Sequence, residues 1–202
     1  MSAIDPGLHS ALSIQLAQWR ATLDGGARRV GWKLGMGDRE RIGDGPVIGH
    51  LTSATQLQDG ETYRARDAAA LHADAEVAVV VGGGYAAALE IVDLGPPDDP
   101  HDIVATNIFH RAVAFGPTHP RLPTDLEGRL LVAGDERAAA PATPDVDALV
   151  ERVSALLEAM GEELRDGDRI ITGSVVQVAI APGTAVTADF GALGNVSLAI
   201  AA

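Results

Sequence analysis

Leu71-His72-Ala73-Asp74-Ala75-Glu76-Val77-Ala78-Val79-Val80-Val81 is the stretch that decides the fold class. Leu71, Ala73, Ala75, Val77, Val79 and Val81 form one apolar row. His72, Asp74 and Glu76 fall together on the opposite face, because strand side chains repeat every two residues. Two acids at i and i+2 stand roughly 6.5–7 Å apart at the Cα and repel unless a positive charge lies between them. A hard divalent cation meets that demand, since Mg²⁺ and its relatives prefer carboxylate oxygens. Glu90, in the second strand-like run Leu89-Glu90-Ile91-Val92-Asp93, offers a third acid. Spacing alone favours a solvated sheet face, because polar-out alternation is what antiparallel sheets normally show. A cation site is the alternative these acids leave open.

Outward from this run the chain reads as many short strands. Val30 to Gly35 carries Lys33, and Glu61 to Arg66 precedes the central strand. Gly82-Gly83-Gly84 turns the chain into Ala87 to Asp93, and a Pro- and Asp-rich loop spans Gly95 to Asp102. Ala112 to Gly116 follows, then a hairpin of Arg129 to Val132 and Arg137 to Ala140. The C-terminal strands are Asp168 to Thr172, Val175 to Ile180, Thr184 to Phe190 and Val196 to Ile200. Two segments carry a helical stripe. The first starts at Asp5-Pro6, runs over about residues 6–24 through Leu8, Leu12, Leu16, Trp19 and Leu23, and stops at Gly25-Gly26. The second starts at Thr143-Pro144 and runs through Val146, Leu149, Val150, Val153, Leu157 and Met160 to Gly161. The expectation is one α+β domain over residues 1–202, a largely antiparallel, curled β-sheet with two main helices.

The bulk properties exclude several functions. A net charge of −13 argues against nucleic-acid binding, whose surfaces must be basic. The absence of cysteine removes disulfides, thiolate metal sites and a cysteine nucleophile. No basic segment followed by an apolar run marks a signal peptide, and no stretch has the length of a membrane span. A soluble, cytoplasmic protein with no membrane partner is expected.

Several motifs occur in one order: Gly31-Trp32-Lys33-Leu34-Gly35, Asp74-Ala75-Glu76, Leu89-Glu90-Ile91-Val92-Asp93, and the tail from Leu164 through Thr172-Gly173-Ser174. Pro182-Gly183 and Phe190-Gly191-Ala192-Leu193-Gly194 complete the set. The set resembles the 2-keto-4-pentenoate hydratase and 4-oxalocrotonate decarboxylase group of the fumarylacetoacetate hydrolase superfamily, from about Gly31 to the C-terminus. The resemblance implies a β-roll like the C-terminal domain of fumarylacetoacetate hydrolase, with bound Mg²⁺ or Mn²⁺. In the family a Glu-x-Glu pair and a later Glu hold the metal, and those positions match Asp74, Glu76 and Glu90. The family lysine matches Lys33, and the Thr-Gly-Ser at the family's substrate pocket matches Thr172, Gly173 and Ser174. His72 shares the face of the acid pair and is placed as a support beside the ligands. His50, His110 and His119 lack a partner pattern, and Arg39 and Arg41 read as a solvated loop before they read as carboxylate-binding groups.

The chain also departs from the family pattern. Only Val77 to Leu89 separate the acid pair from the third acid, so a hairpin replaces a longer excursion. Val47 and Thr106 stand where the family often has acids, and the chain is shorter than typical hydratases. The implied activity is a metal-dependent lyase, a hydratase or decarboxylase, that acts on a small 2-oxo acid through a metal-stabilised enolate. In that reading Lys33 moves a proton or fixes the substrate carboxylate. The alternatives are an acylpyruvate C–C hydrolase, or a non-catalytic ligand-binding or partner subunit of the same fold. The family commonly forms dimers or larger assemblies, so a homo-oligomer is expected.

Overall fold

A computed structural model describes residues 5–35 and 47–202. The loop arginines Arg39 and Arg41 lie outside the described residues. Helix α1 (Pro6–Asp24) begins where Asp5 accepts the backbone N–H groups of Gly7 and Leu8, and it ends at Gly25. Leu12, Leu16 and Trp19 are buried along its inner face. Buried Gln15 on the same face donates to the carbonyls of Ile48 and Val104.

The strands that follow are β1 (Arg29–Gly35), β2 (Val47–Thr52), β3 (Gln56–Leu57), β4 (Thr62–Arg64), β5 (Leu71–Val80) and β6 (Tyr85–Asp93). After them come a short helix α2 (Pro100–Ala105), β7 (His110–Phe115), β8 (Glu127–Val132), β9 (Asp135–Pro141) and helix α3 (Val146–Ala159). The chain closes with β10 (Arg169–Ile171), β11 (Val176–Ala179), β12 (Thr184–Asp189) and β13 (Asn195–Ala201). One sheet has the order β2-β1-β10-β5-β6-β7-β3, with β11 also paired to β5. The other has the order β4-β13-β12-β8-β9. Most pairings are antiparallel; β1/β10, β3/β7 and β4/β13 are parallel. The α+β, mainly antiparallel architecture expected from the alternation is the one observed.

Local chemistry adjusts some boundaries. The third helix, α2, lies partly within the expected loop, where Asp99 caps it and Pro100 opens it. Helix α3 starts after Asp145 rather than at Thr143, because the Asp145 carboxylate takes the Ala148 N–H. The β8–β9 turn tightens to Ala133-Gly134, both at positive φ as a two-residue hairpin requires.

Two apolar clusters fix the layers. One lies between the sheets and joins Ala73, Ala75 and Val77 of β5 to Leu130, Val186 and Leu198 of the second sheet. The other packs α1 and α3 on Trp32, Leu34 and Ile170. The Trp19 and Trp32 rings meet at 5.1 Å, with the Arg29 guanidinium against both. Among the described residues, no helix is long and apolar enough to cross a membrane.

Candidate active site

The polar face of β5 is not solvated. Asp74, Glu76 and Glu90 are 5%, 2% and 1% exposed. Asp74 lies directly opposite Glu90 in the β5–β6 ladder, and Glu76 is two residues further along the same face. Oxygens of all three acids lie within 4.8 Å of one another. The β5–β6 hairpin brings them together, with Gly82, Gly83 and Gly84 at the turn as the short spacing implied.

Lys33 reaches this cluster from β1. In a flat sheet three strand spacings of ~4.8 Å would separate β1 from β6 by about 14 Å. That exceeds the reach of the two side chains, yet Lys33 Nζ lies 2.6 Å from Glu90 Oε1. The sheet therefore curls around the acids. Lys33 is 4% exposed and also donates to the Ile108 carbonyl at 3.0 Å.

Thr172, Gly173 and Ser174 form the opposite wall. β10 and β11 both pair with β5, but residues 172–175 bulge out between them opposite Glu76 and Val77. The Thr172 N–H and hydroxyl both bond the Val77 carbonyl at 3.1 Å. Gly173, at φ 100°, turns its N–H onto Glu76 Oε2 at 2.7 Å. A side chain at this left-handed position would be strained. Lys33, the three acids and Thr172, Gly173 and Ser174 all line one cavity of about 570 Å³, with Gln177 beside Asp74.

His72 shares the strand face but does not line this cavity; its Nδ1 bonds the Ala70 carbonyl. His110 supports the acids instead. Its Nδ1 lies 2.6 Å from Glu90 Oε1, and its Nε2 lies 2.9 Å from Thr55 Oγ1. Sequence reading missed it because β7 starts two residues before the expected strand. Val47 is buried in the helix-side cluster, and Thr106 caps α2 through its hydroxyl on the Asp102 carbonyl. Neither supplies a polar group to the cavity.

The charges in the site are unequal. Burial raises Asp74 to about 7, with Glu90 adding to the effect and Gln177, Lys33 and Ser174 opposing it. Burial also lifts Glu76 well above the carboxylate range, and Glu90 and Asp74 push it the same way. Burial acts on Glu90 too, but the Lys33 ammonium and the His110 hydrogen bond outweigh it and hold Glu90 at about 2. Burial lowers His110, while its hydrogen bond to Glu90 and the Glu90 charge oppose the shift. Its two ring nitrogens thus bridge the Glu90 carboxylate and the Thr55 hydroxyl. Of the three acids, Glu90, paired with Lys33, holds its charge most readily. The other two acids resist ionisation.

4-Oxalocrotonate decarboxylase from Pseudomonas putida G7, complexed with magnesium and adipate, superposes with a TM-score of 0.85 at 21% identity, over 96% of this chain and 86% of that chain. The chain has the fold of that decarboxylase. Fumarylpyruvate hydrolase from Pseudomonas aeruginosa, in complex with Mn²⁺ and pyruvate, matches with a TM-score of 0.63 at 20% identity over 86% of this chain and 90% of that chain. 2-Keto-3-deoxy-D-arabinonate dehydratase, complexed with magnesium and 2,5-dioxopentanoate, matches at 0.66 and 17% identity over 86% and 73%. No protein-family model matches the sequence, and no curated protein is significantly similar to it. The fold that the ordered motifs imply, that of the fumarylacetoacetate hydrolase superfamily, is the fold observed.

Proposed function

We propose that this protein is a divalent-cation-dependent lyase, a hydratase or decarboxylase, acting on a small 2-oxo acid. The observation that carries the reading is the convergence of three buried carboxylates on one cavity beside a buried lysine. The residues fit a hard cation. All three donors are carboxylates, and Asp74 Oδ1 is buried without a hydrogen-bond partner among the described residues. Asp74, Glu76 and Glu90 would hold Mg²⁺ or Mn²⁺. The solved structures of this fold that hold magnesium or Mn²⁺ with pyruvate or 2,5-dioxopentanoate support the same class of ligand.

When bound, such a cation supplies a Lewis acid that polarises a 2-oxo group. The chain's own groups do the rest. An ammonium has three donors, and Glu90 and Ile108 take two of those on Lys33. Among the described residues the third has no acceptor, and in this reading it holds a substrate carboxylate or delivers a proton from Nζ. His110 and Lys33 both engage Glu90 Oε1, which leaves Oε2 for the cluster. Leu34, Val92, Leu94, Ile108 and Phe109 give the cavity an apolar side. Ser174 lines the cavity with its side chain hydrogen-bonded to Asp74.

One observation bears on the competing C–C hydrolase reading. A carboxylate–histidine pair with a ring nitrogen free to activate water at the cavity would favour hydrolysis. Glu90 and His110 make a pair, but Thr55 engages the second nitrogen and His110 does not line the cavity. The lyase reading is therefore preferred. The test is a screen of 2-oxo-dienoates and acylpyruvates with Mg²⁺ or Mn²⁺, read for water addition, CO₂ release and C–C cleavage. Water addition or CO₂ release is expected. Cleavage of acylpyruvates alone would favour the hydrolase. Binding of 2-oxo acids without turnover would favour the non-catalytic subunit.

A further inference from the structure

Asn107, Ile108 and Phe109 are three consecutive non-glycine residues at positive φ, 68°, 51° and 61°. Asparagine tolerates this region, but a β-branched isoleucine does not adopt it readily. Such a run persists only where its surroundings over-determine it. Here they do. The Asn107 amide grips one residue of β2 at both backbone groups: Oδ1 accepts the His50 N–H at 2.7 Å, and Nδ2 donates to the His50 carbonyl at 3.0 Å. The Ile108 N–H bonds the Ile103 carbonyl at 2.8 Å, and the Phe109 carbonyl takes the Asp93 N–H at 3.0 Å.

The left-handed run delivers one group to the site. The Ile108 carbonyl accepts from Lys33 Nζ at 3.0 Å. Gly49, paired with Lys33 across β1 and β2, completes the arrangement. A Cβ at Gly49 would sit 2.7 Å from Asn107 Oδ1 and 2.7 Å from Lys33 Cγ. The bare glycine lets the amide and the lysine stem pack together over the strand.

We propose that Asn107 is a positioning residue for Lys33. It pins the α2–β7 turn to β2, and the turn holds the Ile108 carbonyl where it fixes the ammonium. The kinetic part of this inference rests on the lyase reading of the cavity; the geometric part does not. The test is Asn107→Gly, which keeps left-handed backbone available but removes the amide. Lys33 reactivity toward trinitrobenzenesulfonate is followed by peptide mapping, below the melting temperature of each variant. Lys33 should be labelled several-fold faster than in the parent protein, and kcat on a turned-over 2-oxo acid should fall by about tenfold or more. Unchanged labelling and unchanged kcat with only a lower melting temperature would overturn the proposal. Should Asn107→Gly fail to fold, Asn107→Asp, which keeps an acceptor for the His50 N–H and loses the donor to its carbonyl, is read by the same labelling and kcat, with the same expected and overturning results. If no 2-oxo acid is turned over, the lyase reading fails while the labelling still decides the role of Asn107.

Discussion

Replacing Lys33 with methionine removes one member of a buried ion pair and keeps most of the side-chain volume. Lys33 Nζ and Glu90 Oε1 are 2.6 Å apart, and both residues are almost fully buried. Breaking such a pair from one side leaves an uncompensated charge and costs roughly 3–5 kcal/mol. The double variant Lys33→Met/Glu90→Gln removes both charges and should recover most of that loss. The double-mutant cycle should then report a coupling of about 2 kcal/mol or more. The measurement is urea unfolding in a chelator, near pH 8. The deficit of Lys33→Met should shrink toward pH 5, because without the ammonium burial dominates and Glu90 escapes its charge by taking a proton. A single-variant cost below about 1 kcal/mol, with an additive cycle, would refute the reasoning, since exposed pairs give values of that size.

Further outcomes follow from the same geometry. Divalent cation at about 100 times its Kd should stabilise the parent protein by about 2.7 kcal/mol. Glu76→Ala should lose that stabilisation in a thermal melt, and a retained shift would count against the three-acid site. Burial, with help from His110, lowers His50 to about 4. The folded state then stays neutral at His50 while the unfolded chain takes a proton below about pH 6.5, so stability falls from there toward pH 4 by at most about 3 kcal/mol. His50→Phe should flatten that slope relative to the parent, and equal slopes would exclude the histidine as its cause. Light scattering at micromolar concentration should give a mass above one chain; a monomeric mass would remove the oligomer expected from the family resemblance.

Much of the fold was legible because its signals are local. The alternation from Leu71 to Val81 fixed a strand, and the triple glycine fixed a hairpin that places Glu90 beside Asp74. Asp5-Pro6 and Gly25 bounded α1. The missed features depend on partners distant in sequence. His110 carries no local pattern, and its role exists only because β7 lies beside β6. Asn107 sits in a turn whose left-handed backbone is held by His50 on β2. Nothing in Ala105-Thr106-Asn107-Ile108 announces positive φ at a β-branched residue.

The same distinction explains why spacing alone pointed to a solvated acid face. Asp74 and Glu76 alternate with Ala73, Ala75 and Val77 as they would on any amphipathic strand. What buries them is the curl that carries Lys33 of β1 across β10 and β5 to Glu90 of β6, and that follows from strand order. Once they are buried, the alternation acquires an energetic meaning it lacks in water. Charges of one sign cannot all persist in a dry site, so Glu90 keeps its charge against Lys33 while Asp74 and Glu76 are driven toward the protonated form. A divalent cation, bound as proposed, would relieve both acids at once. Under the cation-dependent reading proposed above, a hard, doubly charged ion held by the three acids would offset this repulsion more fully than the single positive charge that Lys33 supplies.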